Sequence, residues 1–236
     1  MRAVRRSVLA LAAVALAAPA GLASAAPAKP ATPAAQLLLT QAEVPAGYQV
    51  EKVSPKELAG ITASVGDGLT GARVTPAHCA PAVDRGALSR AAGLPILVAT
   101  NEAKRTALSE TLSSGSVDSA VAIPAGCESF RIEMSPKAGS ADRVVMDAKV
   151  TPVALPGAPK GARAVFTRAT GTITVDGKAS RFEQEQLIGG ENVRGYAVLV
   201  IATSIGGDGA GGTARADRAG FTQALTAATN KVRTAT

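Results

Sequence analysis

The feature that most restricts the fold of this chain is a run of strand-like segments with almost nothing between them. Arg143–Ala154, Arg163–Val175, Ala179–Ile188 and Gly195–Ser204 are rich in β-branched and apolar residues and read as four successive strands. Val175-Asp176-Gly177-Lys178 supplies an Asp-Gly pair, which suits a two-residue type I′ hairpin. Gly189-Gly190-Glu191-Asn192 is read as the link between the third and fourth strands. Parallel neighbours need a crossover of about a dozen residues, so strands joined this tightly must be antiparallel. A four-strand meander has a face to cover, and Thr213–Arg233 offers an amphipathic helix with Phe221, Leu225, Ala228 and Val232 on one stripe. The expected class is α+β, a twisted antiparallel sheet (a C-terminal four-strand meander) covered by helices, with the C-terminal amphipathic helix among them.

Upstream the pattern is less regular. Ala35–Thr40 reads as one or two helical turns, ended by Val44-Pro45-Ala46-Gly47, and Tyr48–Val53 alternates like a strand. Gly60–Gly71 is glycine-rich and reads as a mobile loop, and Pro81–Ala92 reads as a helix stopped by Gly93-Leu94-Pro95. Ile96–Ala99 is a short buried strand. Thr106–Ser113 is a second strand, with Thr106, Leu108, Glu110 and Leu112 on one face. Val117–Ile123 suits a short helix, and Cys127–Met134 leads on to the meander. With no internal repeat or boundary, residues 35–236 read as one domain.

The N-terminus fixes an expected compartment. Arg2, Arg5 and Arg6 precede the apolar run Ser7–Ala18, Pro19 and Gly21 break it, and Ala23-Ser24-Ala25 offers small residues for cleavage before Ala26. This is the layout of a secretory signal over residues 1–25. A membrane anchor needs about 20 unbroken apolar residues, which this stretch does not reach. Arg5-Arg6 raises a twin-arginine route, but the hydrophobic residues that should follow are poorly placed, so general secretion is preferred. No cysteine follows Ala25 to accept a lipid, so the mature protein should be released or loosely held. Residues 26–34, a Pro/Ala linker, should stay extended or disordered.

Both cysteines, Cys79 and Cys127, fall in the exported part, and in an oxidising compartment such a pair is most simply one disulfide. A zinc site would need four ligands, and the chain has one histidine. The Cys-x-x-Cys spacing of a redox pair is absent.

Charge and motifs exclude more than they assign. Formal charge is +7, and removing the signal's arginines lowers it to +4, with the cations scattered and no run longer than Lys104-Arg105. With two Tyr, four Phe and no Trp, the chain lacks a stacking platform, so nucleic acid is not an expected partner. Gly207-Asp208-Gly209-Ala210-Gly211-Gly212 matches G-x-G-x-x-G, but no second parallel strand with a terminal acid follows, so it reads as a plain connection. His78 adjoins Cys79, yet a disulfide removes the thiolate that nucleophilic chemistry needs, and no Gly-x-Ser-x-Gly elbow supplies a serine. Glu183 and Glu185 share one face of a strand, which reads as solvent-facing or cleft-lining and is the first place to look for a polar ligand. Phe166, Phe182, Tyr196 and Phe221 read as core, and Tyr48 as core or rim.

Leu37-Leu38-Leu39-Thr40 followed by Val44-Pro45-Ala46-Gly47-Tyr48 resembles the opening of a group of actinobacterial exported proteins. Val74-Thr75-Pro76-Ala77-His78-Cys79-Ala80-Pro81 resembles their first cysteine block, and Cys127-x-x-Phe130 their second. These proteins are similar to the extracellular sensor domain of the PknH-type serine/threonine kinase, and the resemblance covers most of residues 35–233. It implies an antiparallel sheet flanked by helices, a cleft for an unknown ligand and no enzymatic activity. The chain departs from the group in lacking a kinase domain and a transmembrane helix, and in having one cysteine pair where the sensor domain has more. Only the disulfide cysteines Cys79 and Cys127 carry over; ligand residues stay unknown.

The expectation is a secreted, non-catalytic binding or sensor-like module of the cell envelope, without cofactor or metal. Its partner would be a small molecule or an envelope component, with no stable membrane insertion after signal cleavage. A carrier of lipids or other apolar molecules is the alternative, and a secreted hydrolase the weaker third.

Overall fold

The computed structural model describes residues 29–54, 56–60, 63, 71–80, 93–135, 142–204 and 215–236. The signal segment 1–25, the helix expected over 81–92, the Gly207–Gly212 motif and most of the Gly60–Gly71 loop lie outside these residues.

Nine strands form one antiparallel sheet in the order β1-β3-β4-β9-β8-β7-β6-β5-β2. In chain order they are β1 (Gln49–Glu51), β2 (Arg73–Thr75), β3 (Ile96–Asn101), β4 (Thr106–Ser113), β5 (Ser129–Met134), β6 (Arg143–Pro152), β7 (Arg163–Val175), β8 (Lys178–Val193) and β9 (Tyr196–Ser204). The helices whose residues are all described are α1 (Ala34–Leu37), α2 (Val117–Val121) and α3 (Arg218–Thr234), with a 3-10 turn at Ala77–Cys79. The four-strand meander is therefore too small a description. The four expected strands are the middle of a nine-stranded sheet, and few helices cover it. Sequence reading missed β2 and left β5 unassigned; β2 is an edge strand of three residues, which holds its register through its neighbour rather than through a pattern of its own. Edge strands of three residues also limit the unpaired backbone that invites aggregation.

Turn chemistry fixes the centre. Asp176 and Gly177 both have positive φ, 50° and 74°, and Val175 pairs with Lys178, as a type I′ turn requires. The next turn is not at Gly189–Asn192. β8 continues through those residues to Val193, and Arg194-Gly195, with φ of 47° and 75°, makes the same kind of two-residue turn before Tyr196. Glycine there permits close packing instead: a Cβ on Gly190 would lie 2.1 Å from the carbonyl oxygen of Val198.

Successive residues alternate between faces, and the register carries each face across the sheet. On one face, Leu97, Leu108, Leu112, Leu187, Val198 and Val200 pack beneath α3, which contributes Phe221, Leu225, Ala228 and Val232, each 0% exposed. The expected helical stripe is the one that docks. α3 starts at Arg218, where Asp217 caps it by accepting from the Gly220 amide at 3.1 Å. On the opposite face lies a smaller core of Val74, Ile132, Met146, Ala148 and Ala169, with Phe130 and Phe182 packed on it. α2 covers Ala197 and Leu199 on that same face.

The Cys79–Cys127 disulfide forms, with Cα atoms 5.5 Å apart. It ties the turn after β2 to the segment before β5, beside the smaller core. The linker reading of residues 26–34 needs correction in its described part. Pro30 is buried, Lys29 lies over the Tyr196 ring at 4.8 Å, and the Thr32 amide donates to the Thr236 carbonyl at 3.1 Å. A Pro/Ala sequence with little of its own to bury is ordered here by the C-terminus of α3. Among the described residues no helix is long and apolar enough to cross a membrane.

Candidate functional site

Where α3 begins, the helix-covered part of the sheet gives way to an open part, and a cleft of about 810 Å³ lies at that step. Its floor is Phe166 and Arg168 of β7 with Glu185 of β8. One wall is the β3–β4 turn with Lys104, Arg105 and Thr106, and the other is the approach to α3, Arg215 to Arg218. The β-pleat explains the floor: Phe166, Arg168 and Glu185 belong to the face that α3 covers further along.

The acids of the cleft are already engaged. Glu185 is 4% exposed; its carboxylate accepts from Arg215 at 2.7 Å and from the Ala216 amide at 3.1 Å. Asp217 accepts from Lys104 at 2.6 Å, from the Gly220 amide and from the Tyr48 hydroxyl at 3.1 Å. Burial pushes the Asp217 carboxyl upward, but Lys104 and these hydrogen bonds outweigh it and hold the group below the usual aspartate range. The same burial pushes the Tyr48 hydroxyl up to about 12, so it stays protonated and shares a 2.7 Å hydrogen bond with Thr106.

The cations are less committed. Arg168 pairs with Glu183 at 2.5 Å. Arg218 lies over the Phe166 ring at 4.8 Å, and Arg105 makes no ion pair among the described residues. Cationic side chains therefore outnumber acids around the opening. The arrangement can hold an anionic group.

Of the pair singled out in the sequence, Glu185 lines this cleft and Glu183 stands one step along the strand, bound to Arg168. Each carboxylate has its own arginine. Glu185 is far more buried than a solvated strand suggests, because its face passes under the start of α3. Phe221 and Tyr48 are core, as the pattern implied for the first and allowed for the second, whereas Phe166 is half-buried and cleft-lining. His78 stands beside the disulfide, with Nε2 3.4 Å from where a Cβ on Gly126 would sit. The sulfurs of Cys79 and Cys127 are spent on each other, so with His78 they offer no thiolate ligands for a metal.

Sequence reading missed Arg105, Arg215, Asp217 and Arg218. Two signals were available: Lys104-Arg105 is the one adjacent pair of cations outside the signal segment, and Asp217 precedes an amphipathic run three residues before Gly220. A further groove, of about 640 Å³, flanks α3 between Pro156 and Asn230. It is lined by small and neutral side chains apart from Arg218, so it carries little recognition chemistry.

A second buried acid lies away from the cleft. Glu110 of β4 is 2% exposed, and its Oε2 accepts from the Leu39 amide at 2.8 Å while Oε1 has no partner. Burial pushes its carboxyl up to about 7, against the pull of that amide and of Lys231, with Glu43 adding to the rise. Lys231 of α3 donates to the Leu38 carbonyl at 2.8 Å and to Glu43 at 2.6 Å. These contacts pin residues 38–43 between the sheet and the C-terminal helix.

No family model matches the chain, and no curated protein matches it. The structure of an uncharacterised protein from Mycobacterium smegmatis, described as the Rv0999 ortholog, is similar with a TM-score of 0.42 and 19% identity. The likeness covers 85% of this chain and 95% of that one. Neither a family nor a function follows from a similarity at that level.

Proposed function

We propose that this protein is a non-catalytic binding module that works outside the cytoplasmic membrane and takes an anionic group of its ligand in the cleft between β7, β8 and the start of α3. The observation that carries this reading is the charge imbalance there. Glu185 and Asp217 are already hydrogen-bonded, while Arg105 and Arg218 keep charge to offer beside Phe166.

The location rests on the secretory layout of residues 1–25 and is supported by the disulfide, which persists in oxidising compartments. The resemblance to the exported sensor domains supports ligand binding without catalysis. So does the state of the titratable groups. Glu183 and Glu185 are each tied to an arginine, and His78 belongs to the disulfide region. The alternative, a carrier of apolar molecules, needs space between sheet and helix, and there Tyr48, Leu112, Leu187, Phe221 and Leu225 fill the interior.

Thermal denaturation with small anions (galacturonate, citrate and inorganic phosphate) tests the proposal, since a ligand that binds only the folded state raises the melting temperature. At least one should do so in a saturable way, and Arg105→Ala with Arg218→Ala should abolish the rise. A flat response to all three, or an equal rise in the variant, would reject the cleft as the seat.

A further inference from the structure

The face that forms the cleft floor continues beyond it as an exposed, charged surface. The register puts Lys149 directly opposite Arg168, which itself faces Glu185. One row further out, Arg131 faces Asp147, and Thr170 and Glu183 follow. In the third row Arg73 and Arg181 stand at opposite ends, with Glu133, Val145 and Thr172 between them. The arginines and the lysine of these rows are exposed, whereas the side chains of Glu133 and Glu183 are 25% exposed and that of Glu185 5%. Asp147, at 65%, is the exception. A partner approaching this face meets guanidinium and ammonium groups first.

Opposite charges face each other at Arg168–Glu185, Arg131–Asp147 and Arg73–Glu133, but stability does not account for Lys149. Like charges placed directly opposite across an antiparallel pair weaken a sheet, yet Lys149 and Arg168 are so placed. Lys149, Arg73 and Arg181 make no ion pair among the described residues.

We propose that this face binds an acidic glycan, a sugar chain carrying a carboxylate or phosphate on its repeats, with the cleft holding one unit and the sheet carrying the chain onward past Arg168 to Lys149 and Arg131. The inference rests on the cleft reading above and names its ligand class. Charge complementarity is the first argument. Spacing is the second: neighbouring strands stand about 4.8 Å apart, close to the length of one sugar ring, so successive anions meet successive strands. Between the cations, Thr170 and Thr172 present hydroxyls, which donate to and accept from sugar hydroxyls.

The rival polyanions fit less well. Single-stranded nucleic acid is held by rings on which bases stack. Phe130 and Phe182 are on the opposite face, packed in the smaller core, and Phe166 lies beneath Arg218. A lipid surface is met by apolar and aromatic side chains flanked by cations, and Val145 is the one apolar residue in these rows.

Titration calorimetry of the purified protein tests this with galacturonate and its hexamer, and with mannose 6-phosphate and a short phosphomannan oligosaccharide. At least one oligomer should bind ten-fold or more tighter than its monomer, and more weakly as salt rises. Lys149→Gln combined with Arg131→Gln should remove that advantage while leaving monomer affinity and the far-UV circular dichroism spectrum unchanged. If the oligomers bind no tighter than the monomers, or the double variant keeps the advantage, the extended surface is rejected. The cleft reading then still stands, provided that monomer binding depends on Arg105 and Arg218. Binding by none of the four rejects both. Tighter binding to a thymidine 20-mer or to phosphatidylglycerol vesicles than to either oligomer overturns the glycan in favour of nucleic acid or membrane.

Discussion

The two halves of the sheet bury their cores on opposite faces and by different means. Around β3, β4, β9 and the second part of β8, the core lies under α3, and Phe221, Leu225, Leu187 and Val232 lose all contact with solvent. Around β2, β5, β6 and the far ends of β7 and β8, the core is on the other side, and Val74, Ile132 and Met146 keep 4 to 8% exposure. There a covalent bond does part of what a helix does elsewhere. The face that α3 covers in one half is left open in the other, and charges occupy it. The cleft lies where the face passes from one state to the other. A sheet whose core switches sides leaves an exposed step, and a step is a place where a ligand can be held.

The largest effects should come from attacking each half at its own support. Phe221→Ala should lower unfolding free energy by about 4 kcal/mol, through lost burial and the cavity left behind, measured by denaturant titration. Replacing Cys79 and Cys127 by alanine should cost up to about 4 kcal/mol on the chain-entropy account. The distribution should differ. Hydrogen exchange should accelerate throughout the sheet for Phe221→Ala, but chiefly at residues 73–79 and 129–134 for the cysteine variant. Equal acceleration in both halves from loss of the disulfide would show that they are one cooperative unit.

Next comes pH, for which the halves should have opposite signs. Glu110, in the helix-covered half, has its carboxyl pushed by burial up to about 7 from the usual 4.5. The folded state therefore holds a proton that the unfolded state releases. Its contribution is full below about pH 4.5 and is lost as pH rises to 7, by about 3 kcal/mol. Glu110→Gln should flatten that fall in a pH series of denaturation curves; an unchanged slope would mean the carboxyl is ionised when buried. In the disulfide half, hydrogen bonds from Arg143 and Arg131 hold Glu133 below the usual range. Its contribution is present above the unfolded pKa and fades as the solution becomes more acidic.

The smallest effect concerns the boundary itself. Asp217→Ala removes the cap of α3 and the acceptor for Lys104 and Tyr48, and should cost about 1 kcal/mol of stability. It also leaves Lys104 unpaired, so affinity for small anions in the cleft should rise. A fall instead would mean that Asp217 positions the cations rather than merely neutralising one.

Much of this was legible in local patterns. β4 and β7 run from the first residue to the last residue expected of them, and the hydrophobic stripe of α3 is the one that docks. Even Glu110 carried a sign, since it shares its face with Leu108 and Leu112, but alternation records which side a residue is on and not whether that side is covered. Pro30 and Lys29 carried none, because a proline- and alanine-rich stretch is ordered only by what it meets.

The sequence alone therefore determined the central strands, the type I′ turn at Asp176-Gly177, the amphipathic helix and the single pairing open to two cysteines. Each of these depends on neighbours a few residues away, through pleat, helical period or backbone conformation. The tertiary structure alone decided which face α3 covers, that Glu110 and Glu185 are buried, and that Arg105, Arg168 and Arg218 surround one cleft. Those outcomes join residues far apart in the chain, such as Lys104 with Asp217 and Glu43 with Lys231. No local preference encodes such a meeting, because it exists only once the helix has docked on the sheet.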